Sequence, residues 1–204
     1  MDYFIADTHF FHGNIIKYTN RPVLNEEEQL KLGSGERFKV SEQSINRMND
    51  LLIDRINSVV DSSDRLYHVG DFLYGIYDPK QIYEKAVEIL RKINCEEIHL
   101  IRGNHDHPVI EPLFASVKEQ HTLKINNEFL HMNHWAMAIW PESNKGSFHI
   151  YGHSHAAAEK WLDECMPNRS SMDVGVDNLI KVFGSYTPVT FKQIKTFIRN
   201  KQKV

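Results

Sequence analysis

Five short apolar segments of this chain each end directly on a polar cluster of histidine, aspartate or asparagine. The central segment, residues 97–101, is rich in isoleucine and leucine and is followed by Arg102-Gly103-Asn104-His105-Asp106-His107. Such a short apolar run predicts a buried strand. In open α/β sheets, ligands bind at the carboxyl ends of the strands. The pattern therefore predicts an α/β fold with polar groups collected at one sheet edge.

The other four segments repeat this arrangement. Residues 3–6 precede Asp7-Thr8-His9, residues 66–69 precede Gly70-Asp71, residues 128–132 precede His134, and residues 148–151 precede Gly152-His153-Ser154-His155. In an extended chain, residues two apart point the same way. We therefore expect Asp7 and His9 to reach a common ion.

Helical periodicity is clearest over residues 41–60, where apolar residues recur every three to four positions after the N-cap residue Ser41. Pro79 opens a second helix, Thr190 with Gln193 forms a capping box for a C-terminal helix, and a short helix begins near Asn14. Residues 23–40 show no strong period and are predicted to form a long surface loop with at most one helical turn. Helices early in the chain and hairpins later indicate two packed sheets with helices outside.

Composition limits the class of protein. A chain of 204 residues with 41% hydrophobic residues predicts one domain over 1–204 with a sizeable core. The net charge of -3 argues against general electrostatic coating of nucleic acid, although a local basic groove stays open. Cys95 and Cys165 are too few for a disulfide scaffold. With no leader and no apolar run long enough to span a membrane, we expect a cytoplasmic protein without membrane contact.

The strand-end groups suit divalent metal ions. They are Asp7, His9, Asp71, Asn104, His105, His134, His153 and His155. Carboxylate and imidazole bind manganese, iron, zinc or nickel. The groups are too many for one tetrahedral ion but suffice for two ions that share a carboxylate. Two metals about 3.5–4 Å apart are a common device for hydrolysing phosphate esters.

The five blocks together resemble the calcineurin-like metallophosphoesterases, in order and in strand context, from residue 3 to about residue 177. Phe11-His12-Gly13-Asn14 and Val174-Gly175-Val176-Asp177 look like the small bacterial and phage members. The resemblance implies a four-layer α/β/β/α sandwich, with two mixed sheets flanked by helices. Phe72-Leu73-Tyr74 follows Asp71 in place of the acidic signature of phosphoprotein phosphatases, which counts against a protein phosphatase.

Carried over by position, the resemblance implies two metal sites joined by Asp71. One ion would take Asp7, His9, Asp71 and His155, and the other Asp71, Asn104, His134 and His153. His105 would be catalytic, contacting the phosphate and protonating the leaving oxygen. Two divalent ions, with manganese favoured and iron, zinc or nickel as alternatives, would lower the pKa of a bridging water so that hydroxide attacks phosphorus.

Other polar residues have less certain roles. We assign His12 and Arg37 to substrate binding, and Arg21 and Arg169 are further loop arginines that could bind a phosphate. Core or sheet-face positions are expected for His68, His99 and His149. Asp106 is interpreted as the cap of the following turn, and residues 26–28 as a solvated helix face.

The sequence thus predicts a metal-dependent phosphoesterase acting on a small phosphorylated substrate, with a phosphodiester favoured and a nucleotide among the options. Phosphomonoesterase and nuclease activity on DNA or RNA ends are alternatives. The nuclease would use the cations of the C-terminal helix, which are Lys192, Lys195, Arg199, Lys201 and Lys203. A non-catalytic scaffold is a remote alternative, because no expected ligand is missing. The sequence makes no prediction of the oligomeric state.

Overall fold

The computed structural model describes residues 1–202, which form nine strands and seven α-helices. The strands are β1 (Asp2–Ile5), β2 (Arg65–His68), β3 (Glu97–Ile101), β4 (Ser116–Lys118), β5 (Gln120–Ile125), β6 (Glu128–Asn133), β7 (Phe148–Tyr151), β8 (Ser171–Asp173) and β9 (Val189–Thr190). The helices are α1 (Gly13–Thr19), α2 (Glu26–Ser34), α3 (Glu42–Asn57), α4 (Pro79–Leu90), α5 (Glu159–Cys165), α6 (Val176–Phe183) and α7 (Phe191–Lys201). Among residues 1–202, no helix is long and apolar enough to cross a bilayer.

The strands form two mixed sheets. The first has the order β4-β3-β2-β1-β9, in which only β9 runs antiparallel to its neighbour. The second has the order β5-β6-β7-β8, with an antiparallel β5–β6 hairpin and parallel pairs after it. A bridge between Ala6 and Gly175 joins the sheets just beyond β1 and β8. The predicted fold, two mixed sheets flanked by helices, is confirmed.

N-terminal caps explain where the longer helices begin. The side chain of Ser41 accepts a hydrogen bond from the Ser44 amide at the start of α3, and Asp78 does the same for Gln81 at the start of α4. Thr190 and Gln193 form the predicted capping box of α7. Capping satisfies amides that would otherwise lack partners in the first turn. One apolar core takes residues from both sheets and from these helices.

The prediction of a loop over residues 23–40 is wrong, because α2 occupies its centre. Asn25 and Glu28 form a capping box, in which the Asn25 side chain accepts from the Glu28 amide and the Glu28 carboxylate accepts from the Asn25 amide. Glu28 is only 6% exposed and also accepts hydrogen bonds from the Ser41 amide and the Ser44 hydroxyl. The interpretation of residues 26–28 as a uniformly solvated face is therefore also wrong.

Four further secondary-structure elements were not predicted from the sequence. These are the short strands β4 and β9 and the helices α5 and α6. The chain does not stay extended over residues 172–176, because β8 ends at Asp173 and α6 begins at Val176. This early stop turns the chain at Gly175, directly beside the end of β1.

Candidate metal centre

The loops that follow β1, β2, β3, β6 and β7 meet at one edge of the paired sheets and bring the predicted ligands together. Two groups of side chains have ligand atoms within 4.8 Å of one another. The first contains Asp7, His9 and His155, and the second contains Asp71, His134 and His153. The predicted division of these six residues between two ions coincides with the two groups.

These residues lie in sharp turns, not in extended chain. Backbone φ is positive at Asp7 (56°), His9 (48°), Asp71 (58°), His153 (67°) and His155 (48°). The expectation that Asp7 and His9 meet through extended geometry is therefore wrong, although the two side chains do meet. Left-handed conformations of non-glycine residues cost about 1–3 kcal/mol each and cluster at functional sites.

Asp71 belongs to the second group and also lies close to His9 of the first. Its Oδ2 atom is 3.4 Å from Nε2 of His9 and 3.4 Å from Nε2 of His134. Its Oδ1 atom accepts a hydrogen bond of 2.9 Å from the His105 amide. Burial alone would raise the pKa of Asp71, but the nearby imidazoles of His134 and His9 outweigh burial and lower the pKa below its usual range. The carboxylate is thus ionised and lies close to one histidine of each group.

Asp106 fixes the loop that carries Asp71. Its carboxylate accepts hydrogen bonds from the amides of Asp71 (2.9 Å), Phe72 (2.8 Å) and Gly103 (2.8 Å). The interpretation of Asp106 as a cap of the following turn is therefore wrong. The side chain ties the loop after β2 to the loop after β3, so the two loops hold their ligands in a fixed relation.

Asn104 joins the second group through its amide oxygen. Oδ1 lies 2.9 Å from Nδ1 of His153 and 3.2 Å from Nε2 of His134. A neutral oxygen ligand adds no negative charge to a site that already contains a carboxylate. The structure therefore places Asn104 where the resemblance implied a ligand of the second ion.

Unpaired buried atoms at the first group show that the donor set fits a cation. Among residues 1–202, neither Oδ2 of Asp7 nor Nε2 of His9 has a hydrogen-bond partner, and both side chains are buried. Burial, reinforced by the nearby Asp173 carboxylate, raises the pKa of Asp7 to about 7. Burial lowers the pKa of His9 to about 4, which leaves a neutral imidazole. A divalent ion would satisfy both atoms and relieve the cost of burying them.

Two histidines are oriented by their second ring nitrogen. Nδ1 of His134 lies 2.9 Å from the carbonyl oxygen of Val69, and Nδ1 of His155 lies 2.7 Å from Oδ2 of Asp177. Each Nδ1–H donates to its oxygen partner, so Nε2 is the ring nitrogen left to bind a metal. The orienting contacts select the tautomer that a ligand needs.

Arg21 supports the first group through buried hydrogen bonds. It is 2% exposed, and its guanidinium donates to both carboxylate oxygens of Asp177 and to the carbonyl oxygens of Asp7 and Thr8. Arg169 is likewise buried and donates to Glu159 and Asp163. The hypothesis that Arg21 or Arg169 binds a substrate phosphate is therefore wrong for both.

The predicted catalytic and substrate-binding residues do not all lie in the same cavity. His105 and His12 line a cavity of about 550 Å³ beside His9 and His155. Nδ1 of His12 is 3.4 Å from Nδ1 of His9. Arg37 is exposed between α2 and α3 and does not line this cavity, so its role stays a prediction. Another cavity, of about 830 Å³ between β1 and α7, contains none of the predicted metal ligands and neither His105 nor His12.

Several supporting residues were not identified from the sequence. Asp173, Asp177 and two glycines belong to this set. A Cβ at Gly103 would lie 2.3 Å from Oδ1 of Asp71, and a Cβ at Gly175 would lie 2.4 Å from Oδ2 of Asp7. Only glycine permits these approaches. The available signal was the segment Val174-Gly175-Val176-Asp177, which places Asp177 in the first turn of α6, and this helix begins directly after Gly175.

Comparisons with known proteins agree with this geometry. The family of calcineurin-like phosphoesterases matches residues 3–174, which include every candidate ligand. An uncharacterized protein of Methanocaldococcus jannaschii is 32% identical over 203 residues, covering 96% of this chain and 90% of the relative. A protein of unknown function from Aquifex aeolicus shares the fold, with a TM-score of 0.64, 19% identity and coverage of 96% and 98% of the two chains. The chain therefore belongs to the calcineurin-like phosphoesterase family and is a metal-dependent phosphoesterase.

Proposed function

We propose that the protein hydrolyses a phosphodiester of a small molecule or nucleotide with two divalent ions that share Asp71. The observation that carries this proposal is the position of the Asp71 Oδ2 atom, 3.4 Å from one histidine of each group. A carboxylate in this position can serve two ions at once. The two three-residue groups and the amide oxygen of Asn104 supply the remaining ligands.

The first ion would be held by Asp7, His9, Asp71 and His155, and the second by Asp71, Asn104, His134 and His153. Mixed carboxylate, amide and imidazole ligands favour manganese, with iron, zinc or nickel as alternatives. When bound, such ions activate a water as nucleophile and neutralise negative charge on the phosphoryl group.

The protein itself supplies proton transfer and orientation. His105 lines the cavity beside the first group without belonging to either group, so its imidazole is available to protonate the leaving oxygen. His12 lines the same cavity and can contact the phosphate or the group esterified to it. No side chain has to form a covalent intermediate in this scheme.

The structure weakens support for the nuclease alternative. Lys195 and Arg199 of α7 pair with Glu128, and Lys201 pairs with Asp163. These cations are partly neutralised and therefore offer less attraction to a phosphate backbone. Lys203 lies outside the described residues. The scaffold alternative is also weak, because the expected ligand residues are all present and assembled.

Both cysteines are free thiols, with Cys95 buried and Cys165 exposed. Free thiols are typical of a reducing compartment, and we infer that the protein acts in the cytoplasm.

The experiment that tests the proposed function combines metal analysis with two chromogenic substrates. Protein stripped of metal is reloaded with Mn²⁺, Fe²⁺, Zn²⁺ or Ni²⁺, and metal content is measured alongside hydrolysis of bis(p-nitrophenyl) phosphate and p-nitrophenyl phosphate. We expect two ions per chain and faster cleavage of the diester. Preference for the monoester would instead identify a phosphomonoesterase.

Asp71→Asn is the decisive variant. Removing the shared charge should lower metal content and abolish turnover together. Asp163→Asn is its control, because Asp163 lies away from both groups and pairs with Arg169 and Lys201. Full activity of Asp71→Asn, or full activity with one ion per chain, would contradict the proposal.

A further inference from the structure

Three tyrosines surround a second cavity close to the metal centre. The cavity has a volume of about 470 Å³, and Tyr18, Tyr74 and Tyr77 all line it. Tyr18 is 71% exposed and Tyr77 is 80% exposed. Large aromatic side chains held open to solvent beside a cavity are typical of a binding surface. We call this the tyrosine cavity.

The tyrosine cavity adjoins the cavity that contains His105. His12 and Tyr18 line both cavities, so they form the boundary between them. The rings of Tyr74 and His12 lie 4.8 Å apart, and those of Tyr74 and His105 lie 4.1 Å apart. A ligand whose phosphate lies beside His105 can therefore extend past His12 into the tyrosine cavity.

Backbone contacts fix the tyrosine cavity relative to the metal ligands. The Phe10 amide donates to the carbonyl oxygen of Phe72 at 3.0 Å, and the Tyr74 amide donates to the carbonyl oxygen of Phe10 at 3.1 Å. These bonds join the loop that carries His9 and His12 to the loop that carries Asp71, Tyr74 and Tyr77. Because both loops contain candidate ligands, the aromatic wall keeps a set distance from the phosphate position.

The side chains that line the tyrosine cavity favour the binding of a planar polar group. Aromatic rings favour flat π-systems that can stack on them or pack edge to face. Asn14 and Lys39 also line the cavity, and both are exposed. Their amide and ammonium groups can bond the polar edge of a heteroaromatic ring. Among the described residues that line the cavity none is acidic, which suits an anionic ligand.

We propose that the tyrosine cavity binds the nucleobase of a nucleoside phosphate ester whose phosphate lies at the metal centre. This inference rests on the proposed function and narrows its substrate to a base-bearing class. Tyr18 and Tyr77 are the specificity-determining residues, because their exposed rings face the cavity without contacting the metal groups. Tyr74 also packs on His105, so it serves the catalytic residue as well as the base.

The test uses ligands that the enzyme cannot hydrolyse. An adenine nucleoside phosphonate and methylphosphonate both have a phosphorus–carbon bond, and they differ in the base and sugar. Their dissociation constants for the metal-loaded protein are measured by calorimetry. We expect the nucleoside phosphonate to bind about 5- to 150-fold more tightly, which is the range that stacking of one base on aromatic side chains contributes.

Three variants test whether the tyrosine cavity causes the tighter binding of the nucleoside phosphonate. Tyr77→Ala and Tyr18→Ala should each reduce the ratio of the two dissociation constants by about 5- to 10-fold, whereas Tyr77→Phe should keep most of it. Tyr83→Ala is the control, because Tyr83 is an exposed tyrosine of α4 that does not line the cavity. A preference that survives in the Tyr18→Ala/Tyr77→Ala double variant would overturn the proposal.

A parallel assay separates this inference from the proposed function. Methyl p-nitrophenyl phosphate and thymidine 5′-(p-nitrophenyl phosphate) share a leaving group, and only the second carries a base. No hydrolysis of either would count against the diesterase, while the phosphonate titration would still decide whether the base is bound. Hydrolysis of both esters at equal kcat/KM, with no difference between the phosphonates, would overturn the base site alone.

Discussion

The imidazole of His155 donates from Nδ1 to Oδ2 of Asp177 across 2.7 Å, and the same Asp177 carboxylate accepts two hydrogen bonds from Arg21. Arg21 also donates to the carbonyl oxygens of Asp7 and Thr8, in the turn that precedes His9. One buried arginine therefore supports the Asp7 turn directly and the His155 ring through Asp177. Three ligands of the proposed first ion share this support.

Replacing Asp177 should weaken metal binding without removing a ligand. In Asp177→Asn the acceptor for His155 is lost or weakened, so the ring can rotate or change tautomer. Loss of such an orienting contact typically lowers metal affinity by about 10- to 100-fold. Competition titration with a chromophoric chelator should show one of the two sites losing affinity by this factor.

The matched control for that variant is Asp163→Asn. Asp163 also pairs with a buried arginine, Arg169, but lies away from the metal centre. Both variants should lose stability, and only Asp177→Asn should lose metal affinity. Equal affinities in the two variants would show that Asp177 serves the fold alone.

Gly175 should not tolerate even one added carbon. A Cβ at this position would lie 2.4 Å from Oδ2 of Asp7 and 2.8 Å from Oδ1 of Asp173. Gly175→Ala should therefore displace Asp7 and reduce both metal content and turnover. Overpacking of a buried site costs about 1–3 kcal/mol, and urea unfolding of the metal-free protein would measure that part.

Replacing Gly33 by alanine should have the opposite effect on stability from replacing Gly175. Gly33 lies in α2, has no atom within 4 Å of an added Cβ, and is exposed. Gly33→Ala should stabilise the protein by about 0.5–1 kcal/mol through higher helix propensity. If both alanine variants lowered the free energy of unfolding equally, the close contact at Gly175 would not be the cause.

The strongest sequence patterns predicted the matching parts of the fold. Helices α3 and α4 have apolar residues at helical spacing, and β2, β3 and β7 are compact apolar runs. Helix α2 lacks this signal, because Glu28 is its only buried residue. Strands β4 and β9 contain three and two residues, too few for any periodic pattern.

The candidate site was predictable where a motif adjoins a strand, and unpredictable where a contact spans the chain. Asp7, Asp71, Asn104 and His153 follow strands directly. Arg21 and Asp177 are separated by 156 positions, and Asp106 bonds amides 34 and 35 positions before it. Local patterns contain no information about such pairs. They also predicted an extended backbone at Asp7, where the backbone is in the left-handed conformation.

Glu28 should make stability depend on pH. Burial would raise its pKa, but hydrogen bonds from the Ser44 hydroxyl and from the amides of Ser41 and Asn25 outweigh burial and lower the pKa. A carboxyl whose pKa is lower in the folded state stabilises that state above its unfolded pKa, and this contribution is lost as the pH falls through the folded value.

The variant Glu28→Gln cannot ionise and should be less stable by about 1–3 kcal/mol at neutral pH. The difference from the wild type should shrink as the pH falls below about 4.5, the ordinary value for glutamate. Urea unfolding at neutral and acidic pH measures it. Glu27→Gln is the control, because Glu27 is exposed on the same helix and pairs only with Lys31. A pH-independent difference would contradict the role of the charge.

His105 should affect chemistry in a way that depends on the leaving group. A nitrophenolate departs as a stable anion, whereas the alkoxide of a nucleoside needs a proton as it leaves. In His105→Gln, turnover of a dinucleoside monophosphate should fall by about 10²- to 10⁴-fold, and turnover of bis(p-nitrophenyl) phosphate by much less. Metal content should stay constant, since His105 belongs to neither ligand group.

His107→Gln is the matched control for that experiment. His107 is exposed in the same loop and accepts a hydrogen bond from the Val109 amide at the start of a 3-10 turn. Its replacement should change neither rate appreciably. An equal loss on both substrates in His105→Gln would mean that His105 binds the phosphate without delivering the proton. Because the His105 ring packs on Tyr74, a loss confined to the alkoxide leaving group would place the proton donor beside the proposed base site.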